Sequence, residues 1–216
     1  MCLDTILATT ESYVRELFEQ RESGHDWLHV ERVLKNAETI ASKTSGANIF
    51  IIRMSVLLHD VPDSKFFDGD EEKGFMILEE YLGGLNIDED VKDKIVYIIR
   101  NMSFKHSFAF SGDKDIDFQI VQDADRLDAI GAIGIARAFS YGGFKGRPFY
   151  DRNTPQIFSD GGTYSHSNSS TINHFYEKLL LLKDMMNTDA ARTIAERRHN
   201  FMVSFLDEFN DEVFSS

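Results

Sequence analysis

Two imidazoles and two carboxylates occur along the chain in a fixed order. His29 comes first, the adjacent pair His59 and Asp60 follows, and a later aspartate lies in the segment Asp123-Ala124-Asp125. Mixed nitrogen and oxygen donors of this kind bind a divalent ion and leave positions open for water and a phosphate oxygen. The chemistry therefore depends on whether the fold brings four distant side chains together.

The first two segments each have a structural explanation as well as a chemical one. On a helix, His25 or Asp26 lies about one turn before His29, and either could support its ring. A helix-capping Asp26 followed by an ordinary histidine would give the same pattern. Asp60 ends an apolar run, where a buried carboxylate needs either a metal or an arginine as its counter-charge.

The third segment places three carboxylates, Asp123, Asp125 and Asp128, within six residues of an otherwise apolar stretch. Crowded carboxylates repel one another unless a cation holds them. The alternative is a capped helix start with an exposed charged patch at Asp125 and Arg126. Arg126 could instead pair with Asp123 or Asp128.

The composition favours a cytoplasmic protein with a small ligand. Of the 216 residues, 42% are hydrophobic and 27% are charged, and 23 basic against 36 acidic side chains give a net charge of −13. That charge argues against nucleic acid as a partner. The only cysteine is Cys2, so no internal disulfide forms, and no apolar run is long enough to predict a membrane span.

The hydrophobic spacing predicts an all-α fold without strands. The apolar run over 48–60 predicts a buried central helix that ends at Pro62. Loops are expected over Asp63–Asp70 and 103–116. The other predicted helices cover residues 3–21, about 27–43, the segment through Phe75 to Leu82 closed by Gly83-Gly84, Asp88–Met102, Ile116–Phe139, about 168–187 and 188–212.

The stretch Tyr141–His166 lacks helical periodicity, is rich in glycine and contains two of the three prolines. It is longer than most loops, which favours a functional role. Lys145, Arg147 and Arg152 lie within it, so it could close over a phosphate group; an irregular surface loop is the alternative. We expect one domain over 1–216, with a metal-site core at about 20–140, a candidate substrate loop at 141–166 and C-terminal helices at 168–212.

Five segments carry a resemblance that covers most of the chain. They are His25-Asp26-Trp27-x-His29-x-x-x-Val33, Leu57-Leu58-His59-Asp60-Val61-x-Asp63-x-Lys65, Gln122-Asp123-Ala124-Asp125-Arg126-Leu127-Asp128-Ala129, Tyr141-Gly142-Gly143-x-Lys145-Gly146-Arg147 and Asn173-His174-Phe175-Tyr176-Glu177-Lys178-Leu179. Together they resemble the HD superfamily of metal-dependent phosphohydrolases, and within it the YpgQ/YedJ-type bacterial subgroup. The resemblance implies a helical bundle of the HD type and nucleotide pyrophosphohydrolase activity.

The resemblance also implies a ligand set for one divalent ion, Mn²⁺, Fe²⁺, Co²⁺, Ni²⁺ or Mg²⁺. Position by position it assigns His29 rather than His25, and Asp125 with Asp123 as the second choice. His59 and Asp60 complete the set.

Further residues have roles suggested by their positions near these ligands. Asp63, three residues after Asp60, is a candidate to orient or deprotonate the attacking water. Lys65 beside the doublet would neutralise phosphate charge. Lys145, Arg147 and Arg126 are candidates for binding the substrate.

The leading hypothesis is a hydrolase that cleaves nucleoside triphosphates to the monophosphate and pyrophosphate through a metal-activated water. HD-type phosphomonoesterase or phosphodiesterase activity, including alarmone hydrolysis, is the alternative within the class. An oxygen-activating two-iron site would need further histidines, and none follows Asp60 before His106. A non-catalytic helical binding protein with a structural metal is the last alternative. Exposed helix faces leave room for a homodimer.

Overall fold

The computed structural model describes residues 2–19, 26–165 and 169–214, without the side chains of Lys65, Tyr164 and Ser165. These residues form α-helices and short 3-10 segments and no strand, which confirms the all-α prediction. The helices are α1 (Leu3–Glu19), α2 (Trp27–Ala41), α3 (Ile49–Leu58), α4 (Glu71–Gly83), α5 (Glu89–Asn101), α6 (Ile116–Asp128), α7 (Gly131–Phe144), α8 (Gly161–Ser165), α9 (Thr171–Glu177) and α10 (Asp189–Phe214).

Helix α3 lies at the centre of the bundle. Asn48 caps its start by accepting hydrogen bonds from the Phe50 and Ile51 amides at 3.1 and 3.3 Å. Eight of its ten residues are buried, against α1, α2, α5 and α6. Burial on most sides explains why the run is mainly apolar, with Arg53 as its one charged residue, instead of amphipathic. His59 follows directly, so the hydrophobic effect that buries α3 also fixes the position of the first histidine after it.

Helices α2 and α6 pack side by side and run in opposite directions. His29, in the first turn of α2, faces the last turn of α6. Two turns further along α2, the Asn36 amide donates to the Ala124 carbonyl at 3.1 Å. Arg198 of α10 bonds both Asn36 and the Leu127 carbonyl, which satisfies an end group of α6 that the helix itself leaves free. These contacts hold the late aspartates opposite His29.

The prediction of one helix over Ile116–Phe139 is wrong. Helix α6 ends at Asp128, Ile130 is extended, and α7 begins at Gly131, whose φ is +78°. A Cβ at this position would lie 3.0 Å from the Arg198 side chain, so glycine is required for both conformation and space. The turn folds α7 back, and Arg137 of α7 thereby reaches the end of α6.

The predicted loop 141–166 is shorter than expected. Helix α7 continues to Phe144 because the buried Gly142 allows it to approach α9: a Cβ there would lie 2.2 Å from the Thr171 hydroxyl. Residues 161–165 form α8, and 166–168 lie outside the described residues. The predicted helix 168–187 is divided at Lys178 into α9 and a 3-10 segment, Leu179–Met185.

Two further 3-10 segments, Ser64–Phe66 and His106–Phe108, lie in the expected loops. Within the part of the chain that the structure describes, no helix combines the length and apolar character that crossing a bilayer requires.

Candidate metal centre

Three helix ends meet around one point and bring the four predicted ligands together. His29 lies in the first turn of α2, His59 and Asp60 follow the end of α3, and Asp125 lies in the last turn of α6. His29 and Asp60 are buried, His59 is nearly so, and Asp125 is one-third exposed. Three of the four ligands are therefore shielded from solvent, and Asp125 is the ligand that solvent reaches.

The distances between the donor atoms are short. Nε2 of His29 lies 3.2 Å from Nε2 of His59 and 3.5 Å from an Asp60 carboxylate oxygen. Asp125 Oδ1 lies 3.6 Å from the His29 Nε2 and 3.9 Å from the His59 Nε2. His59 Nε2 is also 3.4 Å from the Asp60 carboxylate. Each imidazole thus faces the other and both carboxylates with the same ring nitrogen.

Hydrogen bonds at the opposite ring nitrogens determine which lone pairs point into the centre. His59 Nδ1 lies 2.7 Å from the Val56 carbonyl oxygen, and His29 Nδ1 lies 2.7 Å from an Asp128 carboxylate oxygen. Because both oxygens can only accept, each Nδ1 carries the proton. Arg137 Nη1 lies 2.6 Å from His29 Nδ1 and donates to the same Asp128 oxygen. In the neutral form, a ring that donates from Nδ1 carries its lone pair on Nε2. Two lone pairs and two carboxylates therefore face one another across 3.2–3.9 Å, an arrangement that a cation stabilises.

The spacing fits a divalent ion. With bonds of about 2.1 Å, adjacent ligands of an ion lie about 3.0 Å apart in an octahedron and about 3.4 Å apart in a tetrahedron. Three of the groups, His29, His59 and Asp125, offer donor atoms that all lie within 4.8 Å of one another. Two imidazole nitrogens with carboxylate oxygens are compatible with the ions expected from the sequence, Mn²⁺, Fe²⁺, Co²⁺, Ni²⁺ or Mg²⁺.

The carboxylates also change the basicity of His59. Burial by itself lowers the pKa of the imidazole, but the charges of Asp60 and Asp125 outweigh burial and raise that pKa above its ordinary value. The site thus attracts positive charge, whether it is a proton or a metal ion. The two compete for the same lone pair, so metal binding at this centre releases protons and weakens at low pH.

Asp128 supports the His29 ring, a role for which the sequence suggested His25 or Asp26. Asp26 instead caps α2, accepting from the His29 backbone amide at 2.8 Å, and His25 lies outside the described residues. Asp128 is 99 residues from His29 in sequence. No local spacing could have indicated this pair, because it depends on how α2 packs against α6.

Two arginines hold Asp128 in place. Arg32, one turn after His29 on α2, donates through Nε and Nη2 to the two carboxylate oxygens at 2.7 and 3.1 Å. Arg137 of α7 donates to the same carboxylate. Burial tends to raise the pKa of Asp128, but hydrogen bonds from His29 and Arg32 and the charge of Arg137 hold it well below the ordinary value. Asp128 therefore remains a charged acceptor for the His29 ring.

Asp123, the second choice for the fourth ligand, lies away from the centre. Its carboxylate accepts four kinds of donor at the start of α10: the backbone amides of Asn187 and Thr188, the Asn187 side-chain amide and the Thr188 hydroxyl, at 2.8–3.1 Å. These bonds use the lone pairs of the carboxylate, so Asp123 anchors α10 to α6. The structure places Asp125, not Asp123, with the two histidines.

The structure says less about the candidate catalytic and substrate-binding residues than about the metal ligands. The Asp63 amide donates to the Asp60 carbonyl at 3.3 Å, so Asp63 follows the doublet by one turn. The Lys65 side chain lies outside the described residues. Arg126 is buried and bonds the Met185 carbonyl, not Asp123 or Asp128.

Lys145 and Arg147 lie just beyond α7, about two turns after Arg137. The exposed Lys145 caps α7 and lies 5.8 Å from the Tyr141 ring. The Arg147 guanidinium lies at the same distance from that ring, and the Arg147 amide donates to the Gly142 carbonyl at 2.8 Å.

The Arg147 charge also acts on His174 of α9. Burial, with the charges of Lys178 and Arg147, lowers the pKa of His174 to about 3. In the unfolded chain the ordinary pKa is about 6.5, so the unfolded state binds a proton first as the pH falls. The free energy of unfolding therefore decreases from about pH 6.5 toward pH 3, and the loss at pH 5 is about 2 kcal/mol.

Urea unfolding at pH 7.5 and pH 5 tests this prediction. Between these two pH values, the wild type is expected to lose about 2 kcal/mol more than His174→Gln. His199→Gln serves as a control for the loss of an imidazole elsewhere. Equal losses for the wild type and His174→Gln would contradict a His174 that stays neutral in the folded protein.

Comparison with known proteins identifies the family of this fold and centre. The family model described as HD domain matches residues 27–130, a span that contains all four converging side chains. The protein YpgQ of Bacillus subtilis is 37% identical over 203 residues, which is 94% of this chain and 91% of YpgQ. The crystal structure of YpgQ in complex with ADP has a TM-score of 0.74 at 34% identity and covers 97% of this chain and 98% of that one.

Two other solved structures share the fold, and each comparison covers the full length of this chain and of the other protein. A protein of Lactobacillus plantarum has a TM-score of 0.90 at 37% identity. An HD-superfamily hydrolase of Bacillus thuringiensis has a TM-score of 0.75 at 40% identity. The similarity to YpgQ extends over nearly the full length of both chains, and the family model covers all four residues of the centre. This chain therefore belongs to the HD-domain family.

Proposed function

We propose that this protein is a metal-dependent phosphohydrolase that cleaves nucleoside triphosphates to the monophosphate and pyrophosphate. The observation that carries the proposal is the convergence of His29, His59, Asp60 and Asp125 with both Nε2 lone pairs directed inward. The Asp125 side chain is one-third exposed, and we infer that a substrate approaches the centre from its side. An HD-superfamily hydrolase with the same fold supports the reaction class.

A nucleotide is the substrate class with independent support. The related YpgQ has been solved in complex with ADP. That chain is 34% identical to this one over nearly its full length, and a phosphate chain is also what a divalent ion with open positions binds well. We infer that the present protein takes a nucleotide through its phosphates.

The residues around the centre have separate roles in the proposed reaction. When bound, a divalent ion polarises a phosphoryl oxygen and lowers the pKa of water toward neutrality. His29 and His59 are held in fixed tautomers by Asp128 and the Val56 carbonyl, so no reorganisation is needed when substrate arrives. Asp63, one turn after Asp60, takes the role of the group that orients or deprotonates the attacking water.

Cations from two segments then offset the phosphate charge. Lys65 belongs to the segment that follows the doublet, and Lys145 and Arg147 follow α7. Helix α7 also carries Arg137, which donates to Asp128, and Asp128 in turn orients the His29 ring. The same helix therefore leads both to these cations and to the residue that holds Asp128. Placing fixed positive charge around a transferring phosphoryl group is the main way in which proteins accelerate its transfer.

Asp128→Asn tests the support of the metal centre. The substitution keeps the shape of the side chain but removes the charge that fixes the His29 tautomer, so we expect Mn²⁺ to bind about 10- to 100-fold more weakly in isothermal titration calorimetry. Asp115→Asn, at the capping position of the same helix, is the matched control and should bind Mn²⁺ like the wild type, since asparagine caps helices as well as aspartate does. Unchanged affinity in folded Asp128→Asn would refute the role of Asp128.

A matched pair of variants on α6 tests the reaction itself. In a screen of nucleoside triphosphates with Mn²⁺, the wild type should release pyrophosphate and the monophosphate. Asp125→Asn should lose Mn²⁺ binding and at least about 100-fold of this turnover, since it loses a ligand charge. Asp123→Asn should keep turnover but lower the melting temperature by a few degrees, because it weakens the anchor of α10.

Product identification separates the alternatives within the class. Orthophosphate as the sole product would favour a phosphomonoesterase, and products only from cyclic or diester substrates would favour a phosphodiesterase. Full turnover by a metal-free Asp125→Asn preparation would overturn the proposed centre.

A further inference from the structure

A second polar cluster is built around α6, where Arg126 directly follows the proposed metal ligand Asp125 in sequence. Arg126 and Gln122 lie one turn apart on α6 and face the segment that joins Met185 to α10. The Lys114 ammonium donates to Gln122 Oε1 at 2.9 Å and lies 3.5 Å from Asn187 Oδ1. The Asn187 amide donates to the same Gln122 oxygen at 3.1 Å. Two cations thus lie together beside two neutral amides.

The guanidinium of Arg126 has two donors without acceptors. Nη1 is fixed by the Met185 carbonyl. Nε and Nη2 are buried and have no hydrogen-bond partner among the residues that the structure describes. Buried donors are nearly always satisfied, so two on one side chain require a partner such as an ion or water. Arg126 itself is only 4% exposed.

The two nitrogens are the pair that binds an oxyanion in two places at once. Nε–H and Nη2–H point in the same direction and match the spacing of two oxygens on a carboxylate or phosphate. Arg32 uses the same two atoms on Asp128, at 2.7 and 3.1 Å. At Arg126 the corresponding position holds no carboxylate of the described chain, because Asp123 is bonded to the start of α10.

The net positive charge of the cluster also favours binding of an anion. The pKa of Lys114 is lowered by burial and by the charge of Arg126, so the two cations lie close enough to repel each other. The carboxylate of Asp123 offsets one of these two positive charges. The cluster therefore carries an excess of one positive charge, half-buried on the side of Lys114.

We propose that Arg126, with Lys114 as a second cation, forms an oxyanion subsite that takes a phosphate group of the substrate beside the metal centre. The proposal rests on the proposed function, since it assigns the anion to the nucleotide's phosphate chain. Asp125 and Arg126 are adjacent on α6, so one helix turn presents a metal ligand and a phosphate-binding fork. Binding a phosphate here positions the substrate relative to the metal centre.

Calorimetric titration of the Mn²⁺-loaded protein with ADP tests the subsite without requiring turnover. Arg126→Lys keeps the charge but loses the fork, and Lys114→Met removes the second cation. Each is expected to weaken ADP binding at least about tenfold, the effect of losing a hydrogen bond to a charged group. Arg53→Lys is the matched control: its fork is already filled by Glu38 on the surface, and ADP affinity should not change.

Mn²⁺ affinity and circular dichroism of each variant show that the centre and the fold are intact. If Arg126→Lys does not fold, Lys114→Met decides. ADP affinity equal to that of the wild type in the folded variants, or no ADP binding by the wild type, overturns the subsite. If ADP binding depends on Arg126 and Lys114 but no triphosphate is hydrolysed, the proposed reaction fails and the subsite stands.

Discussion

The hydrogen bond between His29 and Asp128 is the interaction on which the centre depends. It joins the start of α2 to the end of α6, and it turns the Nε2 lone pair of His29 toward His59, Asp60 and Asp125. A buried carboxylate is stable only when it is paired, and Arg32 and Arg137 supply that pairing from α2 and α7. Three helices are thus held together by the group that orients one ligand.

The arrangement of charge follows from this pairing. Around the centre, the carboxylates of Asp60 and Asp125 face the imidazole nitrogens of His29 and His59. Asp128 is instead paired with arginines, and Asp123 is bonded to the start of α10. Arg126 of α6 and Lys114, which precedes that helix, carry an excess of positive charge. A metal ion and a phosphate group would balance both, which links the two proposals through one helix.

The parts that follow local rules could be predicted from the sequence. The apolar run of α3 predicts a buried helix, and the doublet that follows it must then lie at the end of that helix. The ligand order and the preference for Asp125 over Asp123 came from the resemblance to a family, and the geometry agrees with them. What could not be predicted are contacts between distant segments: Asp128 with His29, and Arg137 reaching back after the turn at Gly131. Each depends on helix packing, which no residue spacing reveals.

Diffraction from crystals grown with Mn²⁺, recorded at the manganese absorption edge, tests the central claim most directly. We expect one anomalous peak about 2.0–2.3 Å from Nε2 of His29 and His59 and from one carboxylate oxygen each of Asp60 and Asp125. His29 Nδ1 should remain bonded to Asp128. The absence of a peak at this point in Mn²⁺-saturated crystals, or a peak bound by Asp123 in place of Asp125, would contradict the metal centre described here.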